Sequence, residues 1–207
     1  MKKTNLLKIC GINDPAIARC AVKCGADFLG FIFWHRSPRY VTVERAEEIL
    51  AGIPDRKNCR FAGVFLDSGE EEIRAAGRRL KLDVIQLHGD FPAAAAESLR
   101  REFEVWKAVS SESGWDSGYP ADGFLVDSRT PGSGTRSDWR LAETIRDSGR
   151  KVILAGGLSI GNLRQAAALN CYALDVNSSL EDEPGRKSLQ KTEQLFEEYN
   201  RRCGNEQ

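Results

Sequence analysis

The sequence predicts the α/β fold class, as one barrel of eight parallel strands that alternate with helices. Eight short apolar runs recur along the 207 residues, and most of them lack polar alternation. Continuous apolar runs are typical of parallel strands that are covered on both faces. Helix signals separate most of these runs, and eight β-α units close into a single (β/α)8 TIM barrel. A doubly wound open sheet is the alternative, but it normally has fewer strands.

The predicted strands follow the apolar runs at residues 6–9, 28–33, 61–66, 84–87, 105–109, 124–126, 152–155 and 172–176. Asp14 and Pro15 predict the start of the first helix, and Gly25 predicts its end. Ser68 and Glu71 have the spacing of a capping box after the third strand. Three further N-caps are predicted for later helices: Asp90, Ser137 and Ser159.

The last helix is predicted at about residues 187–202. Four apolar residues of this segment are predicted to share one face of that helix: Leu189, Leu195, Phe196 and Tyr199.

The connection between the fifth and sixth strands is too short for a full helix. Residues 110–121 include Gly114, Gly118 and Pro120, which favour a loop or a single helical turn. The fifth helix is therefore predicted to be short or replaced by a loop. No linker or low-complexity segment indicates a second unit, so residues 1–207 are predicted to form a single domain.

Composition argues against several classes of protein. Thirty basic and 30 acidic residues give a formal net charge of +0, which disfavours a nucleic-acid-binding surface. No apolar run approaches the roughly 18 residues of a membrane span, and the N-terminal apolar stretch is too short for a signal peptide. We therefore expect a cytoplasmic protein with neither nucleic-acid nor membrane partners.

Cysteine usage argues against a metal site. The chain has six cysteines and two histidines, but no Cys-x-x-Cys pair. This pattern lacks the ligand spacing of a zinc site. In a reducing compartment most of these thiols would be small core residues. We expect no bound metal.

The carboxyl ends of the predicted strands carry the candidate site, because barrel enzymes place their active face there. Cys10 ends the first strand, and a thiol is readily tuned to ionise near neutral pH. Gly156 and Gly157 follow the seventh strand, and Ser178 and Ser179 follow the eighth. Loops at these two positions usually bind phosphate in this fold, which favours a phosphorylated small molecule. Two ordinary tight turns are the alternative.

Seven short motifs then occur in a fixed order: KICGI at 8–12, GAD at 25–27, GFIF at 30–33, SPRYV at 37–41, QLHG at 86–89, LAGGL at 154–158 and LDVNS at 174–178. Together they resemble the phosphoribosylanthranilate isomerases of tryptophan biosynthesis, over about residues 6–200. Each motif alone is weak, whereas seven in order are specific. No fused synthase domain fits in 207 residues, so the resemblance is to the monofunctional form.

The resemblance implies an Amadori rearrangement. N-(5'-phosphoribosyl)anthranilate becomes 1-(2-carboxyphenylamino)-1-deoxyribulose 5-phosphate. An acid must protonate the ribose ring oxygen as the ring opens, and a base must then remove the C2' proton. The resemblance implies no cofactor and a small phosphoribosyl substrate as partner, and it leaves a monomer or a homodimer open.

The resemblance also assigns roles to individual residues. Cys10 becomes the general base, Asp127 the general acid, and Arg39 the group that receives the anthranilate carboxylate. Further positions are expected to line the pocket (Gln86, His88, Asp175), to bind phosphate (Gly156, Gly157, Ser178, Ser179) or to form an active-site loop (Gly132, Gly134). A surface role for Arg39 and a structural role for His88 remain alternatives.

Local sequence makes the two catalytic roles physically plausible. Alternation along the first strand points Lys8 and Cys10 to the same side, where the lysine could lower the pKa of the thiol. Residues 124–126 are apolar, and desolvation would help Asp127 to keep its proton. Ser137 and Ser179 stand where the family usually has phenylalanine and glycine, which puts the details of phosphate binding in question.

Three rival functions are compared with this interpretation. The analogous isomerase family of histidine biosynthesis has a pair of aspartates at the ends of strands one and five. This chain has Cys10 and Ser110 at those positions. A cysteine-nucleophile hydrolase would need a partner histidine, and neither histidine has such a motif. A non-catalytic phosphosugar-binding protein could dispense with Cys10 and Asp127, which are both present.

Overall fold

A computed structural model describes residues 5–53, 55–112, 115–128 and 137–203. Its strands β1–β8 form a closed barrel in which each strand pairs in parallel with the next, and β8 pairs with β1. The predicted barrel is confirmed. The strands are β1 (Leu6–Ile9), β2 (Phe28–Ile32), β3 (Arg60–Phe65), β4 (Val84–Leu87), β5 (Glu104–Val109), β6 (Gly123–Val126), β7 (Lys151–Leu154) and β8 (Ala173–Val176).

Seven α-helices lie in the described residues: α1 (Pro15–Cys24), α2 (Val43–Ala51), α3 (Glu70–Leu80), α4 (Ala93–Leu99), α5 (Trp139–Asp147), α6 (Leu163–Ala167) and α7 (Leu189–Cys203). The described part of the connection from β5 to β6, residues 110–112 and 115–122, contains no α-helix, in agreement with the prediction. No helix in the described ranges is long and apolar enough to cross a membrane.

Two apolar cores hold the barrel together. The larger lies between the strands and the surrounding helices. The smaller fills the barrel interior, and includes Phe28, Trp106 and Ile153. Above it, towards the carboxyl ends of the strands, three polar side chains are buried instead: Lys8, Gln86 and Asp175. The barrel is therefore an apolar plug with a polar upper layer.

Local helix signals were right for α1 and wrong for several later helices. Asp14 caps α1 by accepting a hydrogen bond from the Ala16 amide, and Gly25 ends it in the left-handed conformation with φ of 101°. Gly69, rather than Ser68, is the N-cap of α3, and it makes no side-chain cap bond. A capping box therefore does not form there.

Three other predicted N-caps are also wrong. The observed N-caps are Pro92, Asp138 and Asn162 in place of Asp90, Ser137 and Ser159. The hydroxyl of Ser137 donates to the Ala155 carbonyl across the barrel mouth, so tertiary contact takes it away from the helix. The Ser159 amide donates to Asn162 Oδ1, which reverses the predicted direction of the bond.

The predicted final helix begins too early. A small antiparallel hairpin, β9 (Glu181–Glu183) and β10 (Arg186–Lys187), precedes α7. Leu189 is 47% exposed and does not share the buried face of Leu195, Phe196 and Tyr199. The hairpin matters for the site because it packs against the loop that carries Arg39.

Candidate active site

A cavity of about 330 Å³ opens where β1–β8 end. Nine of the residues predicted for the site line it: Cys10, Arg39, Gln86, His88, Asp127, Gly156, Gly157, Asp175 and Ser178. Ser179 is not among its lining residues. Gly132 and Gly134 lie outside the described residues. The fold therefore brings together residues from the ends of five strands and from the loop after β2.

Cys10 lies beside a fully buried lysine. Lys8 Nζ donates to Asp175 Oδ2 over 2.7 Å, and both side chains are almost inaccessible. Lys8 and Asp175 are register partners on β1 and β8. A Cβ built on Gly30 would lie 2.8 Å from Cys10 Sγ and 3.1 Å from Lys8 Nζ. Only a glycine on β2 leaves room for the thiol and the ammonium group together.

The electrostatic setting of Cys10 differs from the simplest expectation. Burial is the largest influence and raises the pKa of the thiol, and the charge on Asp175 acts in the same direction. The charge and hydrogen bond of Lys8 lower this pKa, as predicted, but they do not outweigh burial. Burial also opposes the charge on Lys8, yet Asp175 and Cys10 hold the pKa of Lys8 above its usual value. A charged Lys8 thus faces a thiol that keeps its proton at neutral pH.

Asp127 has the opposite tendency to an ordinary surface carboxylate. Burial raises the pKa of Asp127 to about 6, although a hydrogen bond from the Ser128 amide lowers it in part. The Ser128 amide donates to Asp127 Oδ1 over 2.7 Å. A Cβ on Gly156 would lie only 3.1 Å from this oxygen. The tight turn after β7 therefore encloses the carboxyl group and favours a retained proton, as the apolar strand predicted.

Gln86 and His88 form a pair on the cavity wall. Gln86 Nε2 lies 2.7 Å from His88 Nε2. Burial and the charges of Lys8 and Lys107 lower the pKa of His88 to about 4, so the ring is neutral at pH 7. The amide nitrogen then donates to Nε2, and Nδ1 carries the ring proton. His88 makes a local structural contact and lines the cavity at the same time.

Two buried oxygen atoms at the cavity have no hydrogen-bond partner among the residues that the structure describes. Within the described residues, neither Gln86 Oε1 nor Asp175 Oδ1 accepts a hydrogen bond. Unsatisfied buried acceptors cost free energy, and native proteins contain few of them. Both residues line the cavity, so these atoms are acceptors suited to hydroxyl groups of a ligand.

Arg39 is 6% exposed, which argues against a surface role. Its guanidinium makes a bidentate ion pair with Glu181, with Nε–Oε1 of 2.6 Å and Nη2–Oε2 of 2.8 Å. A Cβ on Gly11 would lie 2.8 Å from Arg39 Cδ. Arg39 is therefore packed against the turn that follows Cys10.

The turns after β7 and β8 are built for close approach. Gly156 and Gly157 have φ values of 75° and 66°, which favour glycine. Ser178 lines the cavity, whereas the Ser179 hydroxyl donates to the Leu158 carbonyl over 2.6 Å. The extra hydroxyl of Ser179 thus joins the two turns to each other.

Several cavity residues had no predicted role. Trp34 and Asn177 line the cavity, and Glu181 and Lys187 lie behind it. Asn177 stands inside the LDVNS motif, which was a usable signal. Glu181 and Lys187 gave no signal, because charged residues are usually exposed. In the described ranges, no three or more His, Cys, Asp or Glu side chains are arranged to hold a metal ion.

A closed (β/α)8 barrel with ionisable groups at its carboxyl-terminal mouth defines an α/β-barrel enzyme. Residues 7–198 match the family model described as N-(5'phosphoribosyl)anthranilate (PRA) isomerase. The chain belongs to the phosphoribosylanthranilate isomerase family, and it is an isomerase.

Individual relatives agree with this family. A protein of Geobacter metallireducens named N-(5'-phosphoribosyl)anthranilate isomerase is 36% identical and covers 92% of this chain and 96% of its own length. The crystal structure of phosphoribosyl anthranilate isomerase from Thermus thermophilus has a TM-score of 0.87 at 36% identity, covering 94% and 98% of the two chains. The Thermotoga maritima enzyme is another structural relative, with a TM-score of 0.84 at 32% identity and coverage of 94% and 98%.

Proposed function

We propose that this chain converts N-(5'-phosphoribosyl)anthranilate into 1-(2-carboxyphenylamino)-1-deoxyribulose 5-phosphate by general acid-base catalysis. The observation that carries this proposal is the placement of Cys10, beside the charged Lys8, and Asp127, with its raised pKa, on the wall of one cavity. The proposal includes one domain over residues 1–207 and a cytoplasmic location.

The first step assigns the acid to Asp127. A carboxyl group with a pKa of about 6 holds its proton far more often near neutral pH than an ordinary aspartate does. It donates this proton to the ribose ring oxygen as the C1'–O bond breaks, which leaves an iminium ion at C1'. A general acid of this kind contributes about 10²–10⁴-fold in rate.

The second step assigns the base to Cys10. Burial keeps most of the Cys10 side chain protonated at neutral pH, and the minor thiolate form is the base. It takes the proton from C2' of the iminium ion, and the electron pair forms an enamine that tautomerises to the ketone. Lys8 stabilises the thiolate, since its ammonium group is buried beside the sulfur. No bond between sulfur and carbon is required at any point.

The remaining groups hold the substrate. Arg39 receives the anthranilate carboxylate, because a guanidinium donates two parallel hydrogen bonds to a planar anion. Gln86 Oε1 and Asp175 Oδ1 accept from ribose hydroxyls, which satisfies both buried oxygens. His88 lines the same pocket.

Phosphate is assigned to the two turns at the far side of the cavity. Gly156, Gly157 and Ser178 line that wall, and the proposed Ser179 contribution is its backbone amide, since its hydroxyl is engaged. Because every proposed group belongs to one chain, we expect activity from a monomer and equally from a homodimer.

Turnover of freshly prepared N-(5'-phosphoribosyl)anthranilate tests the proposal, with loss of substrate fluorescence as the readout. The wild-type protein should convert the substrate fully, and quenched samples should show no mass increase on Cys10. Tight binding without turnover would favour a phosphosugar-binding protein. A kinetically competent covalent intermediate on Cys10 would show that this residue acts as a nucleophile and not as a base.

A further inference from the structure

The guanidinium of Arg39 is already half occupied by protein. Glu181 accepts from Nε and Nη2, so one edge of the planar group is closed by a bidentate ion pair. Glu181 leaves the second Nη2 hydrogen and both Nη1 hydrogens unused. They form the other edge of the guanidinium, which has the geometry for a second bidentate carboxylate.

Glu181 is itself held in place from several directions. Its Oε1 accepts from Lys187 Nζ over 3.2 Å, and its Oε2 accepts from the Gly185 amide over 3.1 Å. Its side chain is 4% exposed and that of Lys187 is 1% exposed. These donors hold the Glu181 carboxylate in one orientation. Because Arg39 pairs with both carboxylate oxygens, its guanidinium is held in one orientation too.

The β9–β10 hairpin connects this ion pair to both neighbouring loops. The turn of the hairpin packs on the loop of Arg39, because a Cβ on Gly185 would clash with the Pro38 carbonyl oxygen. Lys187 Nζ donates to Asn177 Oδ1 over 2.8 Å, which ties the hairpin to the end of β8. Asn13 Nδ2 donates to the Gly185 carbonyl over 2.8 Å. The hairpin is thus a rigid support behind the cavity.

The charges of this cluster also favour an anionic ligand. Arg39 and Lys187 are two basic side chains beside one acidic side chain, Glu181. Burial lowers the pKa of Lys187, and the charge of Glu181 opposes this shift. One positive charge is left over in a buried setting, where it is poorly screened. Arg39 lines the cavity, so this charge acts on a ligand that binds there.

We propose that Glu181 is a positioning residue that sets the orientation of Arg39, so that its open edge meets the carboxylate of the substrate. This inference rests on the proposed function, which supplies that carboxylate. Glu181 acts through Arg39 and does not touch the substrate. It therefore determines preference for a carboxylated aromatic ring, rather than the proton transfers.

Calorimetric binding of two ligands by the intact chain tests the proposal. The first ligand is reduced 1-(o-carboxyphenylamino)-1-deoxyribulose 5-phosphate, and the second is its phenylamino analogue without the carboxyl group. Glu181→Gln keeps the shape of the side chain and removes its charge. Glu183→Gln is the matched control, because Glu183 lies exposed on the same hairpin.

Glu181→Gln should lose about tenfold or more in affinity for the carboxylated ligand and less than about twofold for the analogue, since only the first uses the Arg39 contact. Glu181→Asp keeps the charge and the fold but shortens the reach, and it should show the same selective loss at several-fold. Glu183→Gln should bind both ligands like the wild type. Equal losses for both ligands, or unchanged affinities in either folded Glu181 variant, would overturn the positioning role. A wild-type protein that does not prefer the carboxylated ligand would instead refute the proposed function.

Discussion

The two ends of the barrel treat buried charge in opposite ways. At the amino-terminal end, Glu104 accepts hydrogen bonds from Arg60 over 2.7 Å, from Trp106 over 2.9 Å and from Lys151 over 3.0 Å. Burial opposes ionisation of Glu104, but these three donors hold its pKa below the usual range. Phe28 and Tyr172 pack edge-on against the ring of Trp106. The buried charge at this end is therefore matched by three hydrogen-bond donors.

The carboxyl-terminal end leaves its polar groups incompletely satisfied. Burial raises the pKa of both Cys10 and Asp127, and Gln86 and Asp175 each keep a buried oxygen that accepts no hydrogen bond within the described residues. Such groups destabilise a fold, and they persist where chemistry needs them. The comparison indicates that the amino-terminal end, or lower end, stabilises the fold. The carboxyl-terminal end, or upper end, is less stable because its groups serve catalysis.

Replacing the acid at the upper end should have the largest effect. Asp127→Asn keeps an acceptor for the Ser128 amide but cannot give up a proton at neutral pH. We expect turnover to fall by about 10²–10⁴-fold while the circular dichroism spectrum stays unchanged. Asp90→Asn, at an exposed position after β4, should keep wild-type turnover. Near-normal turnover in Asp127→Asn would show that Asp127 is not the general acid.

The same substitution should reveal the stability that the upper end gives up. The folded pKa of about 6 lies above the unfolded value of about 3.9, so wild-type stability is complete below pH 4 and declines as the pH rises through 6. The loss should reach about 3 kcal/mol by pH 7. Chemical denaturation should therefore show that the free energy of unfolding of Asp127→Asn, relative to that of the wild type, is about 3 kcal/mol higher at pH 7 than at pH 4. A constant difference between the two pH values would contradict the raised pKa.

The lower end should give the converse result. Glu104→Gln removes the charge that Arg60 and Lys151 share, and it should cost about 2 kcal/mol in the free energy of unfolding. Turnover per folded molecule should not change, because the cavity lies at the other end. Glu97→Gln, an exposed substitution on α4, should change stability by less than about 0.5 kcal/mol. A large loss of turnover in folded Glu104→Gln would break the separation between the two ends.

The smallest effect is expected at the carboxylate-binding group. Arg39→Lys leaves one ammonium group, which cannot pair with Glu181 and a substrate carboxylate in two planar contacts. We expect KM to rise about tenfold with a smaller change in kcat. Arg36→Lys, exposed on the same loop, is the control and should leave KM unchanged. An unaltered KM in Arg39→Lys would exclude the carboxylate contact.

The barrel strands were predictable because their signal is local and strong. Runs such as residues 124–126 and 152–154 are continuously apolar, and each becomes part of a buried strand. The helix starts were less predictable, because tertiary partners decided them. Ser137 has the chemistry of an N-cap, yet its hydroxyl donates to Ala155, and Asp138 caps the helix instead. A side chain that has two possible partners cannot be assigned from sequence alone.

The site was predictable wherever a strand end carried an unusual residue. Cys10 and Asp127 both stand at such ends, and the cavity brings them together. Glu181 and Lys187 were missed, because their short polar segment has the pattern of an exposed turn. Its order depends on an ion pair with Arg39, which lies 142 residues away from Glu181 in the chain.

The central claim is that Cys10 transfers a proton and does not hold the substrate. The direct measurement compares Cys10→Ala with the wild type in turnover of N-(5'-phosphoribosyl)anthranilate and in calorimetric binding of reduced 1-(o-carboxyphenylamino)-1-deoxyribulose 5-phosphate. We predict a loss of turnover of about 10²–10⁴-fold, with affinity for the reduced ligand within about threefold of the wild type. Wild-type-like turnover in folded Cys10→Ala would contradict the account.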